Sequence, residues 1–441
     1  MYRKVIHKII EWNNRLRRKP LILNGARQVG KTWLLKSFAK EFYSDNHVYI
    51  NFEDETALRN LFMEDYDLGR ICGAISIIKG VNVTDTTLII FDEIQEAERG
   101  LTALKYFYEK RPGQPIMAAG SMLGISLHQG DSFPVGKVNI IDVYPMDFQE
   151  FLLASGNKPL ADAIECLDWS LLSSVRSKVI DLLKRYYFVG GMPEAVNTYV
   201  EDTDNGFDAV REVQRNLLSA YELDFSKHAP ASEVPRIRLV WTNILAQLAK
   251  ENKKFIYGAL RTGSRAKDFE IAIQWLVDAG LVYKVERVNC GELPLKAYAS
   301  PDIFKLYLLD VGLLGAMGNL SATTLINGND IFNTFKGALT EQYVYQSLKE
   351  TDNIGIYYWS AENSSGEVDF VCDTGNKVLP IEVKASENLR SKSLAAFRQK
   401  YHLMDSIRFS LSDYREQDQM KNVPLYAVYP MMQHILSVYR L

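Results

Sequence analysis

In the first third of the chain, short uncharged runs alternate with segments of helical spacing. LILNG (21–25), HVYINFE (47–53), TTLIIFDE (86–93), PIMAAGS (115–121) and VNIIDVYP (138–145) read as strands, and residues 31–43 and 101–110 as helices between them. Apolar strands without polar alternation, separated by helices, predict a parallel sheet covered on both faces. Upstream, Val5, Ile6, Ile9, Ile10, Trp12 and Leu16 recur at helical spacing among basic residues. Residues 3–16 therefore read as an amphipathic helix packed on the following domain.

Residues 148–200 turn helical, with a break at Gly190-Gly191-Met192-Pro193. Residues 207–280 continue so, through a turn at 262–264 and a helix at 265–279, and are followed by the strand-like runs LVYKVERV and LPLKAYAS. Helix, turn, helix and hairpin predict a winged helix, whether it contacts nucleic acid or serves as a packing module. From about Ala322 come a helix (FNTFKGALTEQYVYQSLKE), three strands (IGIYYWS, GEVDFVCD, VLPIEVKAS), a helix (LAAFRQKYH) and two short strands. The expected division is an α/β core at 1–155, a helical lid at 156–205, a winged helix at 206–318 and an α/β domain at 319–441.

The 441 residues, 47% hydrophobic and 24% charged, suffice for about three cores and exclude a disordered or fibrous chain. The net charge of −3 hides two basic regions, the first twenty residues and 250–267. The uncharged stretch 115–130 includes glycines, serines and His128 and falls short of the ~18 to 20 apolar residues that span a bilayer, so no membrane span is expected. The four cysteines are far apart and none has a zinc-like spacing to histidine, which suits buried thiols in a reducing cytoplasm.

Chemistry enters at Gly25-Ala26-Arg27-Gln28-Val29-Gly30-Lys31-Thr32, a complete GxxxxGK[ST] between a predicted strand and helix. Glycines let the backbone curl so that its N–H groups and the helix's positive end meet a phosphate. Lys31 would bridge the β- and γ-phosphates and Thr32 would ligate Mg²⁺. Sixty residues on, Leu88-Ile89-Ile90-Phe91-Asp92-Glu93 ends an apolar strand in paired carboxylates. Asp92 would hold the magnesium shell, and Glu93 would polarise the attacking water. The next strand ends at Gly120-Ser121, where the Ser121 hydroxyl could sense the γ-phosphate. The sequence contains no NKxD run, so adenine is the expected base.

LNGARQVGKT, LIIFDEIQ, AAGSMLG, SFPVGKVNIIDVYPMDFQEFL, YYFVGGMPEAV, FKLYLLDVGLL, FKGALTEQYVYQSL and GEVDFVCD…IEVKAS occur in this order over nearly the whole chain. The chain thus resembles the prokaryotic AAA+ or STAND-like P-loop ATPases with a helical lid, a winged helix and a C-terminal PD-(D/E)XK nuclease-like domain. The resemblance implies ATP binding and hydrolysis in the cytoplasm. It also implies an adenine contact from the lid's GxP element, here Gly191, Met192 and Pro193. Where many relatives carry an arginine finger, DSFPVGK offers Lys137 and no arginine, which raises the alternative of a monomeric or weakly oligomeric switch.

In the C-terminal domain, Asp369 lies thirteen residues before Glu382, on strands that could pair, and Glu382 and Lys384 share one strand face. Such a D…ExK set would hold Mg²⁺ through Asp369 and Glu382 at a scissile phosphate while Lys384 helps deprotonate water. Glu341 could add a further carboxylate. An exposed hairpin with an incidental salt bridge gives the same letters. The domain's charge, twelve basic against fourteen acidic residues over 320–441, offers little attraction to a phosphate backbone. Two functions follow. One is an ATPase acting on DNA through 250–267 (Lys253, Lys254, Arg261, Arg265) and the C-terminal domain. The other is a nucleotide-controlled switch with a silent nuclease-like domain and a protein partner.

Overall fold

The central strands of the first sheet are covered on both faces, and their unbroken apolar composition already demands that arrangement. A computed structural model describes residues 1–439 except 122, 127–132, 203–205, 251–253, 328–332, 362–365, 386–391 and 418, with the side chains of 126, 325–327 and 333–334 also left aside. The sheet's strands are β1 (Leu21–Asn24), β2 (His47–Asn51), β3 (Leu88–Asp92), β4 (Ile116–Gly120) and β5 (Asn139–Asp142), all parallel in the order β2-β3-β4-β1-β5. β3 and β4 are buried at every position, whereas β2 and β5, at the edges, alternate. Central strands covered on both faces read as unbroken apolar runs for this reason.

The helices Lys31–Phe42 and Gly100–Lys110 follow β1 and β3 as the spacing predicts. A third helix, Leu68–Lys79, lies where no element was singled out; it buries Leu68, Ile71, Cys72 and Ile75 and is capped by Asp67, which accepts from Arg70 N. The amino-terminal helix is Val5–Asn13, with Ile9 and Trp12 buried. Just before it, the buried Arg3 donates to the carbonyls of Val29 (2.8 Å) and Tyr144 (2.6 Å). No described helix is long and apolar enough to cross a membrane.

The chain divides into two units, Met1–Pro145 with Asp278–Leu281, and Met146–Val277 with Val282–Leu441. The second unit is built on β6 (Val282–Val288), β7 (Ala299–Leu308), β8 (Gly355–Ser360), β9 (Glu367–Asp373), β10 (Val378–Val383), β11 (Ser406–Ser410), β12 (Arg415–Gln417) and β13 (Met420–Pro424). They form one mixed sheet in the order β12-β13-β11-β10-β9-β8-β6-β7. Of the hairpin read as a wing, the first arm is β6, whereas half of LPLKAYAS is a 3-10 turn (Leu295–Tyr298) leading into β7, and both strands are continuous with the C-terminal ones. β6 pairs with β8 in parallel at Arg287↔Tyr358 and Val288↔Trp359. Its preceding helix is Glu270–Asp278, shorter than the expected 265–279.

At the carboxy end, where two short strands were expected, β11, β12 and β13 are followed by the helix Val428–Tyr439. Pro424 and Pro430 make that stretch look broken. Yet Val428, Met431, Met432, Ile435 and Leu436 are buried at helical spacing, and Pro430 falls in the first turn, where no backbone donor is needed.

The glycine pair at 190–191 has a packing reason inside this unit. Gly190, with φ 72°, closes the helix Arg176–Val189. A Cβ there would strike the Asp310 carboxylate, and one on Gly191 would strike the Met146 backbone. Gly191 N donates to Asp310 Oδ2 (2.6 Å), Leu313 N donates to Asp310 Oδ1 (2.9 Å), and Gly191 O accepts from Met146 N (2.6 Å). Burial pushes the Asp310 carboxyl up to about 6, against the pull of these backbone donors. A carboxyl raised in the fold holds its proton longer than in the unfolded chain. Its stabilising contribution is thus complete below about pH 4 and is lost as pH rises through about 6. Asp310→Asn is expected to flatten this part of the stability profile, as measured by denaturant unfolding between pH 4 and 7.

Candidate functional site

β1 delivers the chain to Gly25, and a Cβ on Gly25 would collide with the carbonyl of Val143. From there the loop folds back with Ala26 and Val29 buried and Gln28 in the left-handed region (φ 67°). It reaches Gly30 (φ 95°), which caps the helix Lys31–Phe42. The free N–H groups of that helix's first turn therefore open at the end of the sheet. Arg27, half-exposed, lies 4.0 Å from Glu53. Lys31 is only 6% exposed and donates to the carbonyls of Gly25 and Ala26, both at 2.8 Å. Burial lowers its pKa to about 8. Glu93 and Asp92 pull it upward, and Arg27 adds to the lowering.

Two more strand ends complete the cluster. Thr32 Oγ1 and the Tyr49 hydroxyl both donate to Asp92 Oδ2, each at 2.7 Å. Burial, and then the hydrogen bond to Asp92, push the Tyr49 pKa upward. Glu93 adopts a left-handed backbone (φ 48°), an uncommon conformation for a residue with a side chain and one that concentrates at functional sites. Its Oε2 accepts from Ser121 Oγ (2.9 Å), Ser121 N (3.2 Å) and Gln95 Nε2 (2.6 Å). The sequence-expected Lys31, Thr32, Asp92, Glu93 and Ser121 thus belong to one constellation. Tyr49 and Gln95 were not anticipated; the only sequence trace of Gln95 is its place two residues after Glu93. Thr32 and Asp92 supply the oxygen donors that a magnesium ion on a nucleotide would use, and the hydrogen bond between them holds both at the same spot.

Gly191 and Pro193 are in the second unit, and the Gly191 N–H is engaged by Asp310. Lys137 pairs with Glu109 (3.1 Å) and stands over the Tyr108 ring. In the basic segment, Arg261, Arg265 and Lys267 are exposed and Lys254 is partly buried, while Lys253 lies outside the described residues.

A phosphate-ready turn, a buried lysine and strand-end carboxylates on a parallel sheet define a P-loop ATPase-type domain. Residues 17–152 are similar to the family described as AAA domain, 180–324 to a domain of unknown function (DUF8612), and 336–431 to another (DUF4143). Over 422 residues the chain is 21% identical to the uncharacterized protein MJ1544 of Methanocaldococcus jannaschii, a match covering 94% of this chain and 86% of that protein. Among solved structures, Orc1 of Aeropyrum pernix in complex with DNA aligns at 11% identity over 71% of this chain and 91% of its own, with a TM-score of 0.28. Cdc6p of Pyrobaculum aerophilum aligns at 12% over 72% and 91%, with a TM-score of 0.24. Superpositions this loose do not bear on activity.

The expected carboxylates of the second unit form a different kind of cluster. One residue beyond the β9–β10 pair Phe370↔Ile381, Asp369 Oδ2 accepts from Val383 N (2.7 Å), and Lys384 Nζ lies 2.6 Å from Glu382 Oε1. Burial raises the Glu382 pKa, against the pull of Lys384. An unanticipated lysine also enters. Lys305, on β7 and 0% exposed, places Nζ 2.5 Å from Glu367 Oε1 and 3.2 Å from Glu341 Oε1. The Tyr307 hydroxyl donates to the same Glu341 oxygen (2.5 Å), and the Lys305 ammonium stands 4.8 Å from the centre of the Tyr358 ring. Among the described residues, no group of three or more His, Cys, Asp or Glu could hold a metal ion.

The lowered Lys31 pKa has a pH signature at the nucleotide loop. Phosphate binding needs the charged ammonium, and raising the pH through about 8 discharges it in the free protein. Affinity for a non-hydrolysable ATP analogue is expected to fall about tenfold between pH 7 and pH 9, as read by titration calorimetry.

Proposed function

We propose that this protein binds ATP in the 25–32 loop, hydrolyses it, and uses the change of nucleotide state to act through its second unit. The observation that carries this reading is the meeting of three strand ends. Thr32 lies 2.7 Å from Asp92, and Ser121 lies 2.9 Å from Glu93. The Gly25–Gly30 backbone and the start of the following helix would hold the β-phosphate, and Lys31 would leave its own loop carbonyls for the β- and γ-phosphate oxygens. Bound at Thr32 and Asp92, Mg²⁺ would neutralise charge across those phosphates. Glu93 is the general base of this scheme, and Ser121 and Gln95 hold its carboxylate in place until a γ-phosphate competes for the serine.

What the second unit acts on has two readings. The exposed Arg261, Arg265 and Lys267 support DNA. The ion pair with Glu109 engages Lys137, the lysine that the resemblance puts at the finger position, and supports a switch with a protein partner. Phosphate release measured with and without DNA separates the two. DNA stimulation lost on neutralising Arg261, Arg265 and Lys267 favours the first, and indifference to DNA favours the second.

For the ATPase itself, Lys31→Ala is expected to abolish ATP binding. Glu93→Gln is expected to retain binding while lowering turnover by about 10² to 10⁴-fold. Normal nucleotide affinity in the Lys31 variant, by fluorescence or calorimetry, would overturn the proposal.

A further inference from the structure

A nuclease-like site of the D…ExK kind needs a divalent metal between its carboxylates, and in this chain the carboxylates are already provided for. Glu341 receives the Lys305 ammonium and the Tyr307 hydroxyl on one oxygen, Glu367 receives the same ammonium, Asp369 receives the Val383 N–H, and Glu382 receives Lys384. Lys305 has no exposed side-chain surface and is fixed along a strand, so it has no solvent to swing into. Mg²⁺ asks for near-octahedral oxygen ligands at about 2.0–2.1 Å. A dication placed here would have to take oxygens from these donors while lying close to a buried ammonium of like charge, whose repulsion is weakly screened in the interior. Glu382 Oε2 is a buried oxygen without a hydrogen-bond partner, but a single such atom is not a coordination set.

We infer that Lys305 is the resident cation of this cluster, standing where a nuclease of this kind would hold its metal, so that the second unit takes no divalent ion at Asp369 and Glu382. The role of Lys305 is a charge and packing role: from β7 it holds Glu341, on the helix Asn333–Lys349, together with Glu367 at the start of β9. The inference goes beyond the ATPase reading and does not depend on it. Its test omits nucleotide, so failure here leaves the ATP site untouched.

The experiment is a calorimetric Mn²⁺ titration of the nucleotide-free full chain, its Glu382→Gln variant and its Lys305→Met variant, with circular dichroism as the check of folding. The wild-type chain is expected to show no stoichiometric site that Glu382→Gln removes. Lys305→Met, which keeps the length and deletes the charge, is expected to gain one Mn²⁺ site at least tenfold tighter than anything in the wild type. Adding Glu341→Gln to it should remove that site. A wild-type Mn²⁺ site lost in Glu382→Gln overturns the inference, as does a folded Lys305→Met chain that gains none. Should Lys305→Met fail to fold, the comparison of wild type with Glu382→Gln decides alone.

Discussion

A parallel sheet ends all its strands on one edge, and the nucleotide site is a consequence of that constraint. β1, β3 and β4 lie side by side, with β4 between the other two, so the 25–32 loop, Asp92-Glu93 and Ser121 arrive at the same rim from positions almost a hundred residues apart. Burial of β3 and β4 at every position makes that rim stiff, and the cluster inherits its geometry from the sheet rather than from the loops. The polar groups there are paired with one another: lysine with loop carbonyls, threonine and tyrosine with Asp92, serine and glutamine with Glu93. Each of these hydrogen bonds is one that a phosphate or metal could take over at little net cost, because the exchange leaves few polar atoms unsatisfied.

The second unit is held by a different device, buried charge and polar networks between segments far apart in sequence. Asp310 joins Gly191 to the start of the helix Val311–Met317. Tyr186 donates to Met146 O, and Gln346 connects Tyr186 to Val311 N. Lys305 does the same between β7, the helix Asn333–Lys349 and β9. Breaking a buried pair by removing one partner typically costs about 3–5 kcal/mol, so these contacts bind the β6–β7 hairpin, the helix Arg176–Val189 and the C-terminal strands of the second unit together. A division by motif at 206–318 and 319–441 cuts across the eight-stranded sheet that contains them both.

Much of the candidate nucleotide site was legible in the sequence because its signal is local. The loop motif lies between a strand and a helix, and the paired carboxylates close an apolar run. Ser121 was legible for the same reason, as a small hydroxyl residue at a strand end. Tyr49 and Lys305 were not, since each acquires its role only through partners that the fold brings together: Tyr49 on β2 meets Asp92 on β3, and Lys305 on β7 meets Glu341 and Glu367. Gln95 is local to Glu93, but a glutamine two residues on carries no signal of its own. The helix Leu68–Lys79 was overlooked although its apolar spacing is regular, and Val428–Tyr439 was obscured by Pro424, which ends β13 before it, and by Pro430, which its first turn tolerates. The GGMP break was recognised, but its requirement for glycine comes from Asp310 and Met146, more than forty residues away on either side.

Arg3 gives the loop a history as well as a shape. Its guanidinium ties the Val29 carbonyl to that of Tyr144, and β1 finds its two neighbours at Met117 and Asn139, each about a hundred residues downstream. The strand synthesised first is therefore the one whose partners are synthesised last. Contacts of such long sequence separation carry a loop-closure cost before they return anything, so they form late. A nascent chain would emerge with its phosphate-binding residues already made but unable to hold their curve. The ability to grip a nucleotide would then report that the whole first sheet had closed.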